Sequence, residues 1–375
     1  MDVLLYVFAL NTLRAEFGFS NATAGLIGSA TLLASAAGGI LAGVVADRIG
    51  RARTLVYTIL IYSAASAGTA TAHSVGALLF WRAMVGVGLG GEWSAGAVLV
   101  AESWPGRYRA RAMAVMQSGW ALGYLLAAGV TALVLPRFGW RALFLVGVLP
   151  ALLAGWIRRG VPEPDAWNPQ QALPFGQLFR APLRSLTLRA TGLTTAVLFG
   201  YWGVFTWLPG FLSAPAAAGG AGLSILRTSA AVVPLQLGAL AGYLSFGWVS
   251  DWVGRRTAFV TFMVGAAAVV PIYGLTRDET ALLAIGPLVG FFGSGYFSLF
   301  GVMLAELFPA GLRGAGQGLT YNAGRALSAL APFSIGKLAD HYGIGSALGV
   351  NSGFFLLGAA LILLIPSRPD NLIEM

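Results

Sequence analysis

The chain has 375 residues, 57% of them hydrophobic and only 10% charged, with a mean hydropathy of +0.77. A soluble domain usually carries about a quarter of its residues as charges, so a water-covered surface is excluded. With no cysteine, disulfides, thiolate metal sites and cysteine nucleophiles are excluded too, and the two histidines, His73 and His341, stand too far apart to suggest a metal site.

Apolar runs of about 20 residues recur along the chain, each long enough to cross a hydrocarbon core of roughly 30 Å as a helix. A short helix is expected over 1–16, then spans near 23–46, 54–73, 78–100, 112–135 and 141–158. A polar stretch with five prolines (Pro162, Pro164, Pro169, Pro174 and Pro182) follows. Spans resume near 187–212, 226–250, 257–275, 280–303, 314–336 and 345–366. The expected organisation is an all-α integral membrane protein: a six-helix bundle over 1–158, a linker over 159–186, and a second six-helix bundle with a short tail over 187–375. The 52 glycines suit close helix packing in lipid.

The net charge of +9 would suit nucleic-acid binding in a soluble protein. Here membrane orientation explains it. If the turn after the second span is cytoplasmic, that side holds fifteen arginines against six basic residues opposite. The linker and C-terminus then face the cytoplasm.

Shifting the sequence by 204 positions superposes its halves. Gly43, Asp47, Gly50 and Arg51 fall on Gly247, Asp251, Gly254 and Arg255; Glu102 and Arg109 fall on Glu306 and Arg313; Phe138-Gly139 falls on Tyr342-Gly343. Each half holds six spans, so the copies are parallel repeats about an axis along the membrane normal, a transporter architecture. Met1 aligns with Phe205, midway along the seventh span. The first helix is therefore expected to lack its cytoplasmic half, as in an N-terminally truncated copy.

The duplicated segment Gly43-Val-Val-Ala-Asp47-Arg48-Ile-Gly50-Arg51 resembles the loop motif of the major facilitator superfamily. The resemblance implies a gate element rather than a substrate site, with Glu102, Arg109, Glu306 and Arg313 forming gate salt bridges beside it. Arg82-Ala-Met-Val-Gly86-Val-Gly88 resembles a second motif of that superfamily, whose buried arginine is linked to proton coupling. Gly90-Gly91-Glu92-Trp93 and Gly139-Trp140-Arg141 resemble its sialate and monocarboxylate proton symporters. The fold implied is two bundles of six helices. The Gly-Pro motif typical of antiporters in the fifth span is absent from Gln117-Ser-Gly119-Trp120, which weighs against drug export.

Ionisable residues inside spans are costly and mark functional sites. Asp2, Arg82, Glu92 and Arg325 stand out. Arg82 and Glu92 share a helix, about 15 Å apart along its axis and about 80° apart in azimuth, so they do not pair directly. Burial favours a protonated carboxyl and a nearby arginine favours the ionised one, so Glu92 is a candidate proton carrier, with a structural hydrogen-bonded pair as the alternative. Asp2 is a second coupling candidate. Arg82 either tunes a carboxylate or contacts an anionic substrate. Arg325 lacks a basic counterpart at Ala121 and is the preferred substrate-carboxylate ligand. Weaker substrate candidates are Tyr6, Asn11, Gln117, Tyr124, Tyr201, Trp202, Gln236, Tyr321 and Asn322; packing is the commoner role of each. The expectation is a proton symporter importing a small organic anion such as a monocarboxylate or sugar acid. It would act as a monomer in the bilayer, without cofactor, metal or nucleic acid, and would not be an enzyme. A sugar or drug transporter, or an inactive truncated copy, is the alternative.

Overall fold

The computed structural model describes residues 2–104, 106–163, 175–308 and 313–365. Every regular element among them is helical. The first half comprises α1 (Asp2–Phe17), α2 (Asn21–Ile49), α3 (Arg51–Ala70), α4 (Val75–Ser103), α5 (Gly106–Val146) and α6 (Pro150–Gly160). The second comprises α7 (Leu183–Phe205), α8 (Leu208–Ser213), α9 (Ile225–Val253), α10 (Arg255–Leu275), α11 (Glu279–Ser294), α12 (Phe297–Glu306), α13 (Arg313–Ser328), α14 (Leu330–Tyr342), α15 (Ile344–Asn351) and α16 (Gly353–Leu361).

Six stretches are long and apolar enough to cross a bilayer by length and composition: 21–42, 115–160, 183–213, 225–250, 255–275 and 344–364. The second, at 46 residues, would run about 69 Å as one helix, more than twice a hydrocarbon core. It is broken at Gly139 (φ 75°) and again before Pro150, where proline starts α6 at the one helical position that needs no N–H donor. The expected tenth, eleventh and twelfth spans are likewise each interrupted once, between Ser294 and Phe297, at Ala329 and at Ser352.

The 204-residue repeat extends to local chemistry. Gly50 (φ 109°) and Gly254 (φ 86°) join consecutive helices without a residue to spare, in a backbone region other residues avoid. Their end of the molecule is called inner below, and the opposite end outer. Helices α2, α4, α9 and α11 start at the outer end, each capped by a side chain on its third amide. The caps are Ser20 on Thr23 (3.1 Å), Ser74 on Ala77 (3.1 Å), Ser224 on Arg227 (3.3 Å) and Asp278 on Ala281 (2.8 Å). Ser20 and Ser224, and Ser74 and Asp278, are repeat mates.

Helix packing is duplicated as well. A methyl added at Gly86 would overlap the carbonyl of Thr31, and one at its mate Gly290 would overlap that of Leu235, the mate of Thr31. Gly38 against Val87 repeats as Gly242 against Phe291. Backbone-to-backbone approach of this kind is how helices associate where lipid offers no hydrophobic drive.

Candidate substrate cavity

The two halves meet along different seams at the two ends. At the outer end α2 lies against α14. Asp340, in the last turn of α14, accepts hydrogen bonds from the Asn21 amide (3.0 Å) and the Ala22 amide (2.8 Å), the first two N–H groups of α2. A carboxylate in the last turn of its own helix faces that helix's negative end; a neighbouring helix N-terminus reverses the sign of the field. With Ser20 holding Thr23, three of the four orphan amides at the start of α2 have partners.

Deeper in this seam the Phe333 amide donates to Ser29 Oγ (3.1 Å), and Gly25 and Gly336 leave no room for a methyl against Pro332 and Asn21. Asn11 Nδ2 donates to Ser213 Oγ (2.7 Å), and Tyr124 Oη donates to the Phe205 carbonyl (2.9 Å), adding two more links between the halves.

Beneath this seal lies a cavity of about 470 Å³. Along α4 its wall runs from Val85 through Glu92 and Trp93 to Val100, and along α5 from Trp120 back to Met116, so it extends toward the inner end. Glu92, Gln117, Tyr201, Tyr321 and Arg325 all line it. Its remaining character is aromatic: Tyr62, Trp93, Trp120, Trp202, Tyr243 and Phe297 also face it.

Arg325 is 5% exposed. Its guanidinium lies over the rings of Tyr321 (5.1 Å) and Trp93 (5.5 Å), which stack on one another across the two halves at 4.5 Å and 11°. Among the described residues its Nε and Nη1 have no hydrogen-bond acceptor. A buried cation held only by π faces is under-solvated, and burying donors without partners costs about 1–3 kcal/mol, more for charged groups.

Arg82 and Tyr124 are not in this cavity. They line a smaller space of about 30 Å³ on its outer side, together with Tyr6 and Thr31. Arg82 is 1% exposed and sits over Tyr6 (5.2 Å) and Phe144 (5.9 Å). Trp120, Tyr201 and Trp202 line both spaces and form the partition between them; Trp202 meets Trp120 edge-on at 5.8 Å and 90°. The ten-residue spacing of Arg82 and Glu92 thus separates them between two compartments.

Gln236 and Asn322 are buried but line neither space; Asn322 Nδ2 turns back onto the Gly318 carbonyl (3.0 Å). As substrate contacts they are not supported by this geometry, because helix rotation points them into the packing instead. Asn11 and Tyr6 serve inter-helix bonds, Tyr6 Oη donating to the Ala24 carbonyl at 2.8 Å.

Of the gate residues, Gly50 and Arg51 form a tight corner. Arg51 Nη1 donates to the Ala46 carbonyl (2.7 Å), closing the end of α2. Its repeat mate Arg255 is exposed instead, beside the Gly254 turn, and Gly247 faces open space. The environment of Gly43 and the side chains of Asp2, Asp47, Glu102, Arg109, Asp251, Glu306 and Arg313 lie outside the described residues.

Sequence reasoning missed one residue at this corner. Glu163, in the linker, accepts from the amides of Arg51 (2.5 Å), Ala52 (3.2 Å) and Arg53 (3.1 Å) and so caps α3 from 110 to 112 positions away. The Trp140-Arg141 motif is also structural: both side chains donate to Glu16 at the end of α1, at 2.5 and 2.9 Å.

A duplicated, apolar helical bundle with a cavity between its halves has the architecture of a multi-pass membrane transporter of small molecules. The chain belongs to the Major Facilitator Superfamily, whose family model matches residues 1–245 and 212–373. It is 31% identical over 374 residues to the cis,cis-muconate transport protein of Acinetobacter baylyi, covering 96% of this chain and 88% of that one. To the sialic acid transporter NanX of Escherichia coli it is 30% identical over 371 residues, covering 97% and 89%. In fold it matches a bacterial homologue of the human lysosomal transporter Spinster, with a TM-score of 0.78 at 16% identity, over 100% of this chain and 94% of that one.

Proposed function

We propose that this secondary transporter is a proton symporter that imports a small organic anion, with Arg325 as the carboxylate ligand and Glu92 as the proton carrier. The observation that carries the reading is Arg325: a buried guanidinium at the wall of the cavity with two donors unsatisfied among the described residues. A ligand carboxylate would supply an acceptor to one of these donors while also engaging Nη2, in the bidentate geometry arginine favours. The relatives that transport muconate and sialic acid, both carboxylic acids, favour the same class.

Glu92 shares the cavity with Arg325, so one space holds both a cation for the substrate and a carboxyl for the proton. Arg82, behind the aromatic partition, acts as a fixed charge setting the field at the outer side; Asp2, at the start of α1, is the second coupling candidate. The bundles over 1–158 and 187–375 rock about the cavity as a monomer, with the 159–186 linker and the C-terminus cytoplasmic. The inner end, toward which the cavity extends, then faces the cytoplasm, and substrate leaves there. Asp47, Glu102 and Arg109, with Asp251, Glu306 and Arg313, would close that end when the outer seam opens.

Uptake into proteoliposomes tests this. An inward proton gradient should drive accumulation of a monocarboxylate, and uptake that ignores the imposed gradient for every monocarboxylate and sugar acid tried would sink the coupling.

A further inference from the structure

We infer that the cavity selects a flat, conjugated monocarboxylate, and that Trp93 and Tyr321 are the residues that impose this choice. The inference rests on Arg325 being the anion ligand. It goes beyond that reading because it concerns the body of the substrate rather than its charge.

Trp93 comes from α4 and Tyr321 from α13, so the stacked pair is a joint product of both halves. Together they present flat π surface beside the guanidinium that would hold the carboxylate. A carboxylate bound by two parallel N–H donors lies in the guanidinium plane. In a conjugated acid the body shares the plane of its carboxylate. Fixing the carboxylate therefore fixes the tilt of a conjugated body, which then slides face-on along neighbouring rings. A saturated ring of the same size is puckered and keeps only edge contacts.

The rest of the lining points the same way. Trp120, Trp202 and Phe297 complete an aromatic enclosure, where offset and edge-on ring contacts are favourable. A polyhydroxylated sugar acid needs a partner for every hydroxyl it brings out of water. Apart from Arg325, the polar lining side chains are Glu92, Gln117, four tyrosines and three tryptophans whose indole N–H groups donate only. The acceptors are thus Glu92, Gln117 and the tyrosine hydroxyls, against four or five alcohols that each bring a donor out of water.

The volume of about 470 Å³ accommodates one ring with a short side chain. The arrangement also explains why, among the described residues, Arg325 rests on π faces rather than on a protein carboxylate. An incoming anion can take the guanidinium without first breaking an ion pair, whereas a resident Asp or Glu would compete with every substrate.

Calorimetric binding to the purified full chain decides the matter with three probes: benzoate, its saturated counterpart cyclohexanecarboxylate, and gluconate. Benzoate should bind about tenfold more tightly than cyclohexanecarboxylate, with gluconate weakest. Trp93→Leu and Tyr321→Leu should each bring the ratio of the first two toward one, while Trp93→Phe, which keeps a ring and the fold, retains most of it. Arg325→Gln should remove binding of all three. Equal wild-type affinity for benzoate and cyclohexanecarboxylate, tighter gluconate, or an unchanged ratio in Trp93→Leu would overturn the inference and leave the anion site standing. Wild-type protein that binds none of the three would overturn the anion reading itself.

Discussion

The outer seam and the inner cavity are built from opposite materials. The seam between α2 and α14 is glycine against backbone, stitched by amides onto Asp340 and Ser29. The cavity wall is aromatic, with Glu92 and Arg325 set among its rings. The first closes because nothing protrudes; the second stays open because bulky rings hold the helices apart. Rocking transport needs both kinds of surface, since a seam must seal without filling and a site must fill without sealing.

The contrast is also where the repeat fails. Asp340 falls on Pro136 and Gly25 on Ser229 under the 204-residue shift, so the carboxylate clasp of the outer seam exists once. Arg325 falls on Ala121 and Glu92 on Tyr296. The caps and the glycine packing that build each bundle are duplicated, whereas the parts that work between the bundles are not.

The harshest way to break the contrast is to make the seam protrude. Gly25→Leu should prevent α2 from meeting Pro332, abolish transport, and open the cavity outward. Because the chain lacks cysteine, Thr31→Cys gives a clean reporter at a buried position of the outer space, and its labelling by an impermeant maleimide should rise more than tenfold in the Gly25→Leu background. Unchanged labelling would mean that the seam is not the outer seal.

On the cavity side, Arg325→Gln should cut uptake of a monocarboxylate by about 10- to 100-fold, the worth of about 1.5–3 kcal/mol for a charged hydrogen bond. Uptake within a factor of two of wild type would show that the anion sits elsewhere. Glu92→Gln should abolish gradient-driven accumulation while preserving substrate exchange, and it should flatten the fall of uptake with rising external pH. Retained accumulation would remove Glu92 from the coupling step.

Asp340→Ala sharpens the comparison with a smaller effect. Two carboxylate-to-amide bonds at an exposed helix start contribute about 1–2 kcal/mol, so outward labelling at Thr31→Cys should rise several-fold, with Asp340→Asn intermediate. Smallest of all, Glu163→Ala should uncap α3 at the inner corner at a cost of about 1 kcal/mol, visible as a drop of a few degrees in Tm with the outer labelling unchanged.

Much of this was legible before any coordinates. The repeat and the two glycine turns follow from spacing, and the cost of charge in lipid marks Arg82, Glu92 and Arg325 as functional candidates. Other features were not legible. Trp93 stands out in the sequence only as part of the Gly90-Gly91-Glu92-Trp93 resemblance, and its approach to Tyr321 and Arg325, more than 200 positions away, is what makes it part of the cavity wall. Asp340 and Glu163 looked like ordinary polar-segment acids. Each caps a helix distant in sequence, a pairing that no local pattern announces. The signal that could have found Asp340 is its lack of a duplicate beside an outer helix start.

Composition, hydropathy and the 204-residue repeat determine by themselves that this chain is a duplicated membrane transporter, because the bilayer permits few ways to satisfy so apolar a backbone. Which side chains share a cavity was decided only by the tertiary structure. Helix rotation and tilt are set by glycine contacts between helices, and these separate Arg82 from Glu92, turn Gln236 and Asn322 into the packing, and leave Arg325 facing the space between the halves.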